Sequence, residues 1–248
     1  MMKRFLALAV LLPFIIGVHT ASAQEKIRCA VAANYIQVFQ EIAAAFAAKT
    51  GIKVEGTFSS SGNLYGQIVN GAPYDLFLSA DEERPARLLK EGFAEKPFVY
   101  ARGQVVLWSA KKDFCKKAGW QDALKGTDVK RIALANPVTA PYGTAAQAAM
   151  QKTGLWTALK DKCVRAQDIA QAFQYAATQS VDAGFCALSS AISPEGRKGC
   201  YYAVPEAADI VQSACIISPT KNRAAAERFA AFLQSPETAA IKERLGYK

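Results

Sequence analysis

Histidine is nearly absent. The 248-residue chain contains one, His19. Its position matters, because residues 1–23 read as an export signal rather than as structure. Lys3 and Arg4 form a charged start, and Phe5 to Val18 is an apolar stretch interrupted only by Pro13 and Gly17. Ala21-Ser22-Ala23 is then an A-x-A cleavage site before Gln24. Once that segment is cut, no imidazole remains. A chain without histidine runs neither Ser-His-Asp nor Cys-His catalysis, and it builds none of the common His-based zinc sites. No C-x-x-C pair occurs, which argues against metal ribbons and thioredoxin-type redox motifs. No G-x-G-x-x-G or G-K-[S/T] run is present to cradle a nucleotide. Beyond the signal, no apolar run approaches the ~18 residues of a membrane span. The mature chain is therefore expected in the periplasm as a soluble protein.

What is present is ordinary for a globular chain. Hydrophobic residues make up 51% and charged residues 21%, too apolar for disorder, and the length suits one large domain or two modest ones. The net charge is +9, or +7 once Lys3 and Arg4 leave with the signal. That charge is scattered, and no cluster interleaves aromatics with arginine, so nucleic acid is not an expected partner. A mild positive field would still draw anions toward a cleft. Six cysteines remain: Cys29, Cys115, Cys163, Cys186, Cys200 and Cys215. An even count in an oxidising compartment suggests disulfides, but sequence cannot choose among about 15 full pairings. Cys29, Cys186 and Cys215 lie in apolar, strand-like runs that suit buried free thiols equally well.

The hydrophobic pattern alternates strand and helix. Lys26 to Ala33 reads as a strand. Phe39, Ile42, Ala43 and Phe46 then recur at helical spacing, with Gly51 placed as the residue that ends the helix. Ile52 to Phe58 and Asp75 to Ser79 read as further strands, followed by helices from about Gly62 to Asn70 and from Asp81 to Lys90. Phe98 to Ala110 is a long extended run that could carry the chain into a second region. There the alternation restarts with strands at Arg131–Ala135, near Val164 and at Ala183–Leu188. Helices fall at about Tyr142–Lys152 and Ile169–Thr178. Ile210 to Ser218 could carry the chain back before two closing helices, about Lys221–Leu233 and Pro236–Leu245. The expected fold class is α/β, with two lobes that are each a mostly parallel sheet flanked by helices, joined by two crossovers. The expected bounds are 24–103 with 219–248 for the first lobe and 104–218 for the second.

Ligands of open parallel sheets bind beyond the carboxyl ends of the strands, where helices begin. Four junctions qualify: Ala32-Ala33-Asn34-Tyr35, Ser59-Ser60-Ser61-Gly62-Asn63, Asn136 through Thr144, and Gln167-Asp168-Ile169. They are rich in small residues and neutral donors, with Gly62 and Gly143 open to close backbone approach. They carry no cation and one carboxylate, Asp168, which reads as a helix cap. A helix N-terminus presents unpaired N–H groups and the positive end of its dipole. Several aimed at one cleft make an oxyanion site. Taken singly, each junction is an ordinary cap. The set of four, split between two lobes of an exported chain without a catalytic base, points to binding.

The stretches AVAANY at 30–35, GTFSSSGNLYGQI at 56–68, GAPYDLFLSAD at 71–81, ALANPVTAPYGTAA at 133–146 and DAGFCALS at 182–189 resemble the periplasmic molybdate-binding proteins of ABC-type importers, and the resemblance covers essentially the whole mature chain. It implies the two-lobed binding-protein fold, no enzymatic activity, no cofactor, and molybdate or tungstate as ligand. It also implies delivery to an ABC permease in the inner membrane and a monomeric chain. Carried over, it implies an oxyanion held by Asn34 through backbone and side chain, by Ser61 with Ser60 as neighbour, and by the N–H groups of Tyr142 and Ile169. No residue binds the metal atom directly, since the anion is held through its oxygens. Some family members have Ser in place of Asn34 and a tyrosine hydroxyl in place of Ala187. Ala187 has no side-chain donor, so the phenol of Tyr142 or Tyr35 is the candidate substitute.

A site made only of donors is selective. Molybdate and tungstate are fully deprotonated at neutral pH and only accept hydrogen bonds. Phosphate keeps a proton that would go unpaired there. Sulfate is excluded only by size, so a carrier of another tetrahedral oxyanion such as sulfate is the alternative. An organic acid would call for an arginine fork, and an enzyme built on Ser61 would need a lysine base that the local sequence lacks.

Overall fold

A computed structural model describes residues 25–248. The expected export signal at 1–23 lies outside the described residues. The first sheet is built from β1 (Lys26–Ala32), β2 (Lys53–Ser59), β3 (Leu76–Leu78), β4 (Phe98–Gly103) and β10 (Ile210–Ile216), in the order β2-β1-β3-β10-β4. The second holds β5 (Val105–Ser109), β6 (Ile132–Ala135), β7 (Cys163–Ala166), β8 (Ala183–Ala187) and β9 (Cys200–Ala203), in the order β7-β6-β8-β5-β9. The two orders are equivalent. In each sheet three strands run parallel, and the fourth position holds a strand antiparallel to both its neighbours: β10 in the first sheet, β5 in the second. The expected two-lobed α/β architecture is the one observed.

Local sequence explains the elements. Along β1, Ile27, Cys29 and Val31 pack on one face and Ala30 on the other, the period-two alternation of a strand buried on both sides. α1 (Ile36–Thr50) buries Val38, Phe39, Ile42, Ala43 and Phe46 and ends at Gly51, whose φ of 75° only glycine adopts readily and whose N–H donates to the Ala47 carbonyl. α9 (Arg223–Leu233) covers the same face, with Phe229 set edge-on to Phe46 at 5.1 Å. α2 (Ser61–Val69) and α3 (Glu83–Lys90) cover the other. α10 (Pro236–Arg244) follows α9. In the second lobe α5 (Pro141–Lys152) and α7 (Ile169–Ala177) flank the sheet, joined by the short helices α4 (Trp120–Leu124), α6 (Trp156–Leu159) and α8 (Leu188–Ala191).

Gln104 is the single residue between β4 of the first sheet and β5 of the second. The run from Ile210, read as a connection belonging to the second lobe, is strand β10, paired between β3 and β4 of the first sheet. The chain crosses back over 204–209. The strand is central and buried on both faces, with Gln212, Ala214 and Cys215 wholly buried. The short strand β9 was not anticipated.

Asp75 locks the opposite end of the first sheet. Its carboxylate accepts from the Arg28 N–H at 2.7 Å and from the Asn222 side chain at 3.1 Å, and Thr220 adds a hydroxyl. Asp75→Ala would strand these part-buried donors, with an expected loss of about 1–3 kcal/mol. Urea denaturation reads this as a lower midpoint at unchanged slope, and an unshifted midpoint would refute it.

Candidate oxyanion site

The carboxyl ends of β1, β2 and β3 face those of β6 and β7 across a cleft. There the start of α2, the start of α5, the start of α7 and a 3-10 turn at Ala33–Tyr35 converge on one small cavity of about 10 Å3. Its lining contains Asn34, Ser60, Ser61, Tyr142 and Ile169, so all five residues expected of the site come together. Ala32, Ala33, Ala80, Ala140, Pro141 and Asp168 complete it. Most of these side chains are small, and neither Lys nor Arg is among the lining residues. A larger hollow lies at the starting ends of β1 and β3, lined by Lys26, Arg28 and Pro73 and by Asn222 just before α9.

The hydrogen bonds say what each group has left to offer. Ser61 Oγ accepts from the Ala80 N–H at 2.9 Å. One lone pair is thus used, and its own proton remains to be donated. Ser60 is the N-cap of α2, its Oγ accepting from the Asn63 N–H at 3.4 Å, and its proton is likewise not spent on the cap. Ser61 and Ile169 are first residues of their helices, and Tyr142 follows Pro141 at the start of α5. Their N–H groups have no partner within the helix. Proline costs nothing at the first position, where its missing N–H would have gone unused. Asp168 acts as the cap it was expected to be, with Oδ1 accepting from the Gln171 N–H at 2.9 Å.

Several singled-out groups have other roles. The Asn34 side-chain amide was expected to face the ligand. Both its hydrogens are committed, to Gln212 Oε1 at 2.8 Å and to Tyr247 Oη at 3.1 Å, so the side chain is a brace and only the backbone is left for a ligand. Ala187 is the buried end of β8 and does not line the cavity. Neither phenol offered as its substitute is placed for that role. Tyr142 Oη accepts from Gln212 Nε2 at 3.3 Å. Tyr35 Oη is buried without a partner and lies outside the lining. Burial pushes the phenols of Tyr100, Tyr142 and Tyr247 up, so all stay protonated at neutral pH. Thr144 donates to the Pro137 carbonyl at 2.6 Å.

The two glycines permit close approach, but to protein. The Gly62 N–H donates to the Thr139 carbonyl at 2.8 Å across the cleft, and a Cβ there would sit 2.9 Å from Thr139 Cα. Beside it Arg84, held by Asp81, donates to the Val138 carbonyl at 3.1 Å. These contacts join the lobes at the cavity's mouth, so the cleft is shut. Gln212, Ser189 and Tyr247, which brace the cavity from behind, escaped the sequence reading. They are neutral side chains far apart in the chain, and no local motif marks them.

A cleft between two equivalent α/β lobes, floored by helix N-termini and free of cations, defines a solute-binding protein suited to an anion. Residues 27–248 match the bacterial extracellular solute-binding protein family. The molybdate-binding protein ModA of Rhodobacter capsulatus is 39% identical over 243 residues, covering 96% of this chain and 94% of that protein. ModA of Azotobacter vinelandii is 39% identical over 233 residues, covering 92% and 91%. The solved periplasmic molybdate-binding protein of Azotobacter vinelandii superposes with a TM-score of 0.85 at 35% identity, over 90% of this chain and 98% of that one. The sulfate-binding protein SubI of Mycobacterium tuberculosis shares the fold, with a TM-score of 0.77 at 18% identity over 90% of this chain and 86% of that one. The chain belongs to the ModA family of molybdate-binding proteins.

Proposed function

We propose that this protein captures molybdate, and with it tungstate, between its lobes and hands it to an ABC permease in the inner membrane. It does so as a monomer in the periplasm, after loss of residues 1–23, and catalyses no reaction. The anion is held by the hydroxyls of Ser60 and Ser61 and by the N–H groups of Asn34, Ser61, Tyr142 and Ile169. The observation that carries this reading is the Ser61 hydroxyl, turned by the Ala80 N–H so that its proton is left over inside a cavity floored by helix N-termini. Hydrogen bonds to a charged group net about 1.5–3 kcal/mol each. Six such bonds are worth roughly 10–20 kcal/mol before association entropy is subtracted. That supports tight binding without a cation. Each lobe supplies part of the set, so the ligand favours the closed form by differential contacts.

Calorimetric titration with molybdate, tungstate, sulfate and phosphate tests the reading. Heat is expected with the first two, weaker binding with sulfate and none with phosphate. Silence with molybdate would sink the proposal, and tight binding of sulfate alone would replace the ligand. Ser61→Ala is expected to weaken molybdate binding by about 1–3 kcal/mol, and an unchanged isotherm would remove Ser61 from the site.

A further inference from the structure

Behind the cavity lies a buried polar cluster whose centre is Tyr247. Gly246, Tyr247 and Lys248 follow α10 and lie where both lobes meet. Gly246 has φ of 82°, and a Cβ on it would come within 3.2 Å of Ile192 and Leu188 of the second lobe. Lys248 pairs in both directions with the Arg102 main chain of β4, at 2.7 and 3.0 Å. Between them Tyr247 is 3% exposed. Its hydroxyl donates to the Asn34 carbonyl at 2.6 Å and accepts from the Asn34 side chain at 3.1 Å. Ser189 Oγ of α8 lies 3.1 Å from that hydroxyl and donates to the same Asn34 carbonyl at 3.2 Å. Gln212 of β10 joins Asn34, Tyr100 and Tyr142. Asn34, Tyr100, Gln212 and Tyr247 belong to the first lobe, whereas Tyr142 and Ser189 belong to the second.

The cluster sits on the crossing. Gly103 is the last residue of β4, and a Cβ there would lie 1.9 Å from Tyr142 Oη, 2.8 Å from Gln212 Nε2 and 3.1 Å from the Tyr247 ring. The chain thus gives up a side chain at the hinge so that these three can meet. Two of the cluster's members, Asn34 and Tyr142, also line the anion cavity.

We propose that Tyr247 is a positioning residue for the oxyanion site, its hydroxyl clamping the Ala33–Tyr35 turn and tying that turn to the second lobe through Ser189. The Asn34 carbonyl is held by one hydroxyl from each lobe, which fixes the peptide plane of the turn and so the direction of the N–H groups beside it. The turn keeps its binding geometry only while the lobes keep their closed angle, so closure and preorganisation of the site are one event. This role rests on the anion-binding reading above, but the link between the lobes exists whatever the ligand.

The test has two arms, both on Tyr247→Phe, which keeps the ring packed against Tyr35 and removes only the hydroxyl. In ligand-free protein, amide hydrogen exchange is expected to speed up at residues 33–36 and, across the cleft, at residues 188–191, while β1 and β6 keep their protection. Acceleration confined to 33–36, or none, overturns the link between the lobes. In stopped-flow binding with molybdate, the dissociation rate is expected to rise about tenfold with the association rate nearly unchanged. Ser189→Ala is expected to do the same, and the double variant to do little more than either alone. A packing role alone would lower the melting temperature without that split, and unchanged dissociation overturns the positioning role. If the unaltered protein does not bind molybdate, the functional reading fails, and the exchange arm still decides the clamp.

Discussion

Gly143→Ala is expected to weaken molybdate binding by about two orders of magnitude. A Cβ at Gly143 would lie 2.1 Å from the Ala135 carbonyl oxygen and 2.7 Å from its carbon. These are main-chain atoms at the end of β6, the strand paired between β7 and β8, and they have nowhere to move. The start of α5 must lift instead. Tyr142, the neighbouring residue, then carries its N–H away from the cavity, and hydrogen bonds weaken steeply with distance and angle. The same lift pulls Thr139 from the Gly62 N–H and loosens the mouth. Losing one charge-assisted bond and degrading a second costs about 3 kcal/mol, or more than a hundredfold. Overpacking should take a further 1–3 kcal/mol from stability. Gly66→Ala is the control. It lies in α2 with open space around its Cβ position, so affinity should hold and stability should rise slightly. Calorimetry on both variants checks the claim, and Gly143→Ala binding like the unaltered protein would refute it.

Glycine at 143 is an instance of what local sequence reveals. The four strand-to-helix junctions were legible because helix starts obey local rules: Ser60 and Asp168 cap the helices that follow them, and Pro141 opens α5. The alternation along β1 and the helical spacing in α1 are local as well. Much of the family-like signature proves to be scaffold. Asp75 fastens the start of β3, Asp81 holds Arg84 and receives its N–H, and Gly62 and Gly143 allow backbones to touch.

What local rules do not reach was misread or missed. β10 looked like a connection because nothing within Ile210–Ile216 says that its partners are Leu76–Leu78 on one side and Phe98–Gly103 on the other. β9, at the edge of its sheet and partly exposed, carried too weak an apolar pattern to stand out. Asn34 was read as a ligand-facing amide because its partners, Gln212 and Tyr247, lie 178 and 213 residues away. A side chain's job depends on who satisfies it, and for a buried neutral group that partner is set by tertiary structure.

Breaking the Cys115–Cys200 disulfide is expected to be the most destabilising change outside the site. Of the six cysteines, these two are bonded, while Cys29, Cys163, Cys186 and Cys215 are free thiols. The bond joins the turn after β5 to edge strand β9, and the closed loop spans 85 residues that contain β6, β7, β8, α5 and α7. Those elements carry every second-lobe member of the site. A cross-link over a loop of that size lowers the entropy of the unfolded chain by an amount worth about 4–5 kcal/mol in the loop-closure picture, and measured values more often reach 2–4 kcal/mol. The double variant Cys115→Ser, Cys200→Ser should therefore melt about 5–15 °C lower. The loss should fall on the second lobe, since the first sheet contains neither cysteine. Molybdate should restore part of the difference, because it binds only the folded form and, in the proposed site, bridges the weakened lobe to the intact one. The free thiols supply an independent readout. Burial pushes Cys215 up to about 12 and Cys163 up to about 11, so neither offers appreciable thiolate at neutral pH while its lobe is folded. In the double variant, alkylation of Cys163 and Cys186 in the second lobe should accelerate ahead of Cys29 and Cys215 in the first. Equal melting temperatures, or labelling that advances in both lobes together, would show that the cross-link does not hold the second lobe.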